Sequence, residues 1–217
     1  GERAEEVHQK RVDPSKDNML KITNDGKMCA LDMRLVDPTV EDNPDSKVNM
    51  AVNNIFNKWE ETKDDSLTQV VFLDRSTPSK GFNLYDDIKE KLIALGIPEE
   101  EIKFIHDAKN DKEKVKLFED VNEGRVRILI GSTEKMGAGT NIQKKLCALH
   151  HIDVPWRPSD IEQREGRILR QGNDCKEAEI FRYATEGTFD SYSWQTIEYK
   201  QKFISQVMTN KPLGRSI

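Results

Sequence analysis

No apolar run in this sequence approaches the ~18 residues that a membrane-spanning helix requires, and the opening GERAEEVHQKRVDP lacks the apolar centre of a secretory signal. Cysteine is scarce. Cys29, Cys147 and Cys175 are odd in number, far apart and never in a CxxC pair, which argues for free thiols in a reducing compartment, hence a cytoplasmic place, and against structural zinc. His150 and His151 are adjacent, so on a strand they face opposite sides and cannot chelate one metal together; no metal site is expected. Excess positive charge is also missing. With 34 Lys+Arg against 39 Asp+Glu the formal net charge is −5, whereas a domain that wraps nucleic acid unaided is usually basic. Any nucleic-acid contact must be local or shared with another domain. Finally, no GxxxxGK[ST] phosphate loop, no GxGxxG fingerprint and no strand ending in an acidic DE pair occurs. The chain lacks the parts that grip β- and γ-phosphates and their metal.

What is present suits a soluble globular protein: 35% aliphatic and aromatic residues, 34% charged, in 217 residues. That length holds one large domain, or a core of ~150 residues with appendages. A first residue of Gly rather than Met fits a piece excised from a longer chain.

Along the chain, SKDNMLKITNDG (15–26) reads as a short helix stopped by Gly26. Val48, Val52, Ile55 and Trp59 then fall at helical spacing, with Asp45 as N-cap. From Gln69 the pattern changes to strands alternating with helices: QVVFLD, a helix from Asn83 to Leu95, IKFIH, a helix over 111–124 with Val115, Phe118 and Val121 inward, RVRILIGS, LCALHHIDV, a helix over 159–170, EIFRYA, and a final helix from about Thr188 to Met208. Such alternation predicts an α/β domain with a mostly parallel sheet covered on both faces. Residues 1–66 read as an N-terminal helical extension and 67–217 as the domain proper. In such sheets ligands sit beyond the carboxyl ends of the strands. The loops Gly131–Asn141 and Pro155–Ser159 both follow strands.

Chemistry concentrates between Gly131 and Gly172. Ser159 followed by Glu162 is a capping-box pattern, which starts the helix at Asp160. On that helix Gln163, Arg167 and Arg170 fall within an arc of roughly 60° at ~100° per residue, with Ile161 and Ile168 opposite. Glu165 falls near the apolar side, which this wheel does not explain. A solvated basic face is the ordinary reading of such charge. Three arginines and no lysine favour instead a surface for phosphate oxygens. Gly137-Ala138-Gly139 could be an ordinary strand-to-helix connection or a backbone approach to phosphate. Trp59 and Trp194 read as packing anchors rather than base-stacking platforms.

Ser132-Thr133, then Gly137-x-Gly139-x-Asn141-Ile142, then Trp156-x-Pro158, then Gln163-x-x-x-Arg167-x-x-Arg170-x-Gly172 resembles motifs V and VI of superfamily 2 helicases. QVVFLD resembles motif IV. The Trp-x-Pro spacing is most similar to Swi/Snf-type DNA translocases, and the resemblance covers roughly residues 69–185. It implies a RecA-like, P-loop NTPase-type three-layer fold and the second motor lobe of an ATP-dependent helicase or translocase. In that family the residue matching Arg170 is the arginine finger, that matching Arg167 faces the nucleotide, and that matching Gln163 couples the lobes. Ser132, Thr133 and Gly137 would lie on the DNA backbone, with Gly139 and Asn141 nearer the nucleotide. ATP, with magnesium, would be held mainly by a first RecA-like lobe absent here, so this chain alone would be inactive. The implied partners are that lobe and nucleic acid, double-stranded DNA by the Swi/Snf likeness. The 15–66 segment is similar to a subgroup in which such a helicase is fused to a DNA methyltransferase. Glu134, Lys135 and Met136 depart from the Arg-small-Gly usual in Swi/Snf proteins, and Asn173 from the usual Gln. The alternatives are a non-catalytic RecA-like docking module and a small-molecule enzyme with its own Rossmann-type site.

Overall fold

The computed structural model describes residues 5, 7, 18–137, 141–168, 171–175 and 177–209. Among these, β1 (Thr68–Phe72), β2 (Ile102–Phe104), β3 (Ile128–Gly131), β4 (Leu146–His151) and β5 (Glu179–Arg182) form one sheet. Its order is β2-β3-β1-β4-β5, and every neighbouring pair is parallel. The central runs are apolar without alternation because both faces are covered. In β1, Val71 joins one core with helix α2 (Lys47–Glu61) and helix α3 (Leu84–Leu95), while Val70 and Phe72 join another with helix α4 (Asp111–Asn122). The sheet is therefore the middle of three layers, as the alternation predicts. No helix among the described residues is long and apolar enough to cross a membrane.

Side-chain caps set the helix starts. Ser46, not Asp45, accepts the Asn49 N–H at the start of α2, and Asn83 accepts that of Asp86 at α3. In α2 the expected stripe Val48, Val52, Ile55 and Trp59 is buried. In α4 the inward pair is Leu117 and Val121, and Val115 is exposed. Val115 lies ~200° around the helix from Leu117, so both cannot face the sheet.

Gly26 does not stop a helix. Helix α1 (Met19–Leu31) runs through it, and the glycine serves packing instead: a Cβ there would lie 2.4 Å from the Phe189 ring. The missing side chain lets α1 approach the last helix, α7 (Phe189–Thr209). The lead-in is tied down further by Arg34, whose guanidinium donates to Asp32 and, through both terminal nitrogens, to Asp87 of α3 at 3.1 and 3.0 Å. A buried ion pair joins Lys47 of α2 to Asp190 of α7. On α7, Trp194 and Ile197 are buried, whereas Tyr192, Phe203 and Ile204 are exposed.

His150, fully buried in β4, accepts the Tyr183 hydroxyl proton at 2.9 Å on Nδ1 and donates from Nε2 to Gln69 at 2.9 Å. Its ring stacks on Phe181. Burial, with His151 beside it, pushes its pKa down to about 3 from the usual 6.5. The unfolded chain therefore binds a proton that the folded one refuses. Stability is fully present above pH 6.5 and is lost as pH falls toward 3, at about 1.4 kcal/mol per pH unit from this residue. Urea titrations across that range check the slope; a His150→Gln variant is expected to flatten it.

Candidate functional site

The carboxyl ends of β1, β3 and β4 are held together by one arginine. Arg164, on helix α6 (Pro158–Glu165), is fully buried. Its Nε donates to the Thr133 hydroxyl after β3 at 2.7 Å, and Nη2 donates to Asp74 after β1 at 2.7 Å. Nη1 donates to His151 Nδ1 of β4 at 3.0 Å and reaches the Asp153 carbonyl at 3.3 Å. Asp74 in turn accepts the backbone N–H and hydroxyl of Thr133, at 2.6 and 2.9 Å. The Asp153 carboxylate accepts the N–H groups of Asp74 and Arg75, at 2.7 and 2.9 Å. Burial pushes the Asp153 carboxyl up, with Arg164 opposing. Three loops that a ligand would meet are thereby fixed from beneath.

Helix α6 differs at both ends from its expected form. It begins at Pro158, a residue suited to the first helical position, and the Asp160 carboxylate accepts the Arg157 N–H at 3.0 Å. It ends at Glu165 and passes into a turn, so Arg167 is not carried on the same regular helix as Gln163. Arg167 is 6% exposed and donates to the carbonyl of Gly137. That guanidinium is aimed at the glycine loop. Gly137 has φ 62°, a conformation that favours glycine. Glu165, unexplained on the helical wheel, accepts from His151 at 3.2 Å and from Arg182 at 2.8 Å. Burial pushes its carboxyl up, but those bonds and charges outweigh it and hold it below the usual value.

A cleft of about 740 Å³ opens over this network, lined by Ser132, Thr133, Lys135, Trp156, Arg157 and Gln163 among others. Gln163, Ser132 and Thr133 therefore share one cleft. Ser132 and Thr133 are themselves buried, and both hydroxyls are engaged within the fold: Ser132 caps helix α5 (Thr133–Met136) by accepting the Lys135 N–H, and Thr133 is held by Asp74 and Arg164. Lys135 and Arg157 are the exposed cations of the cleft. Asn141 is exposed, its carbonyl accepting from Asn122 at 2.7 Å. Gly139 and Arg170 lie outside the described residues. No group of three or more His, Cys, Asp or Glu residues among the described residues could hold a metal ion.

Sequence reasoning missed Arg164, Asp74 and Asp153 as a unit. One signal was available: at ~100° per residue Arg164 falls within about 60° of Ile161 and 40° of Ile168. An arginine on an apolar face needs buried partners.

The helicase conserved C-terminal domain family matches residues 55–172, more than half of the chain. Over 93 residues the chain is 33% identical to Defense against restriction protein B of Escherichia phage P1, a match covering 43% of this chain and 4% of that protein. It is 32% identical over 92 residues to the uncharacterized ATP-dependent helicase YqhH of Bacillus subtilis (strain 168), covering 42% and 16%. The chain thus spans a small part of either relative. Among solved structures, the C-terminal part of the Fun30 ATPase domain superposes with TM-score 0.54 at 18% identity, covering 72% of this chain and 48% of that one. The DUF1998 helicase MrfA bound to DNA superposes with TM-score 0.51 at 19% identity, covering 69% and 20%. At such identity the likeness shows the fold alone. With its all-parallel sheet, its three layers and the matched span from 55 to 172, this chain belongs to the helicase conserved C-terminal domain family and has a RecA-like fold.

Proposed function

We propose that this chain is the second motor lobe of an ATP-dependent DNA helicase or translocase, completing across a gap a nucleotide site whose phosphate grip lies on a first lobe. The observation that carries this is that Gln163, Ser132 and Thr133 line one strand-end cleft; Arg167, not among the residues lining it, donates to the Gly137 carbonyl. The residues present fit one half of a polyphosphate site. They offer arginine and amide donors and a glycine with φ 62°, but no phosphate loop. ATP, with magnesium on the first lobe, would supply the free energy of phosphoryl transfer. Arg170 and Arg167 would stabilise charge on the transferred group, Gln163 would report lobe closure, and Gly139 and Asn141 would border the nucleotide. Ser132, Thr133 and Gly137 would follow the DNA backbone through the rigid Asp74–Arg164 support.

The small exposure of Arg167 also favours a second reading, a non-catalytic docking module that keeps the fold. Joining the chain to its own first lobe separates the two. A motor lobe gives ATP hydrolysis stimulated by double-stranded DNA, with none from this chain alone. A docking module gives no DNA stimulation.

A further inference from the structure

A second cavity, of about 470 Å³, opens between α1 and α7 and adjoins the cleft at Asp74 and Trp156. That volume suits a small organic ligand. Its wall is aromatic and exposed: Trp156 is 72% exposed and Tyr192 66%, with Phe189 beside them. Lys27, Arg75 and Lys200 also line it.

The charges on this wall are not balanced. Asp74 and Asp153 are taken up by Arg164 and by backbone N–H groups, and Asp190 by Lys47. No carboxylate among the described residues pairs with Lys27, Arg75 or Lys200. Lys27 lies over the Trp156 ring, 4.4 Å from its centre, and among the described residues the Arg75 guanidinium donates to the Asn24 amide oxygen alone, at 2.8 Å. Burial, and then the positive charge of Arg75, push the Lys27 ammonium below its usual value. In a chain of net charge −5, three cations without a carboxylate partner among the described residues face one aromatic wall. A merely solvated face has no use for exposed indole and phenol rings, and a merely apolar contact has no use for the cations. Together they suit a planar π-system that carries an anion.

We propose that this cavity binds a nucleotide unit, its base against Trp156 and Tyr192 and its phosphate among Lys27, Arg75 and Lys200. The same chemistry is offered by an unpaired stretch of a nucleic-acid strand and by a free mononucleotide. Lys27, Tyr192 and Lys200 lie on α1 and α7, outside the cleft that holds Gln163. Binding here needs neither ATP nor a first lobe, so its failure is distinguishable from failure of the motor assignment.

Tryptophan emission tests it directly. Trp59 and Trp194 are 6% and 7% exposed, so quenching on ligand addition reports Trp156. The 217-residue chain is titrated with a short single-stranded oligothymidylate, a blunt DNA duplex and AMP. Quenching by the single strand alone identifies a strand as the source; quenching by AMP as well identifies the nucleotide unit itself. Tyr192→Ala is expected to weaken binding about tenfold. Lys27→Ala with Lys200→Ala is expected to flatten the salt dependence, in log–log slope, by about 0.7 for one lost phosphate contact. Trp156→Phe, which keeps an aromatic face, should remove the quench and retain most of the affinity. Far-ultraviolet circular dichroism confirms that each variant folds. Absence of quenching by every ligand, binding by the duplex alone without quenching, or unchanged binding and salt slope in folded Tyr192→Ala and Lys27→Ala/Lys200→Ala chains would overturn the assignment.

Discussion

Arg164→Leu is expected to lower the unfolding free energy by about 3–5 kcal/mol, the usual cost of removing one partner from a buried ion pair. Leucine fills part of the volume under Phe72 but supplies none of the donors now given to Thr133, Asp74, His151 and Asp153. Asp153, 4% exposed, would keep its bonds from two backbone N–H groups but lose the cation that opposes the upward push of burial on its carboxyl. Denaturant titration should show a lower midpoint at an unchanged slope. Arg164→Lys should recover only part of the loss, because an ammonium is a point donor and cannot serve three strand ends at once. Adding Asp153→Asn to Arg164→Leu should cost less than the two changes taken separately, since they share one contact. Additive losses would mean that the network is not a single unit.

The largest expected effect on activity lies at Arg170. In a protein carrying this chain and its first lobe, Arg170→Ala is expected to cut DNA-stimulated ATP turnover roughly 10³-fold, the lower end of what an arginine finger contributes. ATP binding should change far less if, as proposed, the phosphate grip lies on the other lobe. Arg167→Ala should combine two losses. On the proposed reading it removes a guanidinium from the nucleotide, and it frees the Gly137 carbonyl that Arg167 now holds, so DNA stimulation should weaken along with turnover. Steady-state rates measured against ATP and against DNA separate the two variants. Undiminished turnover in Arg170→Ala would remove its assigned role.

Much of this architecture was legible from local pattern. The apolar run at Gln69 and the i, i+4, i+7, i+11 stripe from Val48 to Trp59 state their burial outright, since period and face are properties of neighbouring residues. Gly26 was misread because its reason is distant: Phe189, on the last helix, fills the space where a side chain would stand. The start of α6 was misread because Ser159–Glu162 and Arg157–Asp160 compete as caps, and Pro158 decides between them. Arg164 illustrates the same limit within the site. Its helix shows an arginine facing inward, but its partners Asp74 and Asp153 come from strand ends that adjoin only after the sheet has formed. Motifs disclosed the family, and tertiary pairing disclosed what braces the loops.

Photo-crosslinking with an ATP analogue reactive at its γ-phosphate, in the two-lobe protein with double-stranded DNA, tests the central claim most directly. Label is expected in the segment from Gln163 to Arg170 as well as in the first lobe, and it should be competed by ATP. Label confined to the first lobe, under conditions where the protein hydrolyses ATP, would contradict a second lobe that reaches across to the nucleotide.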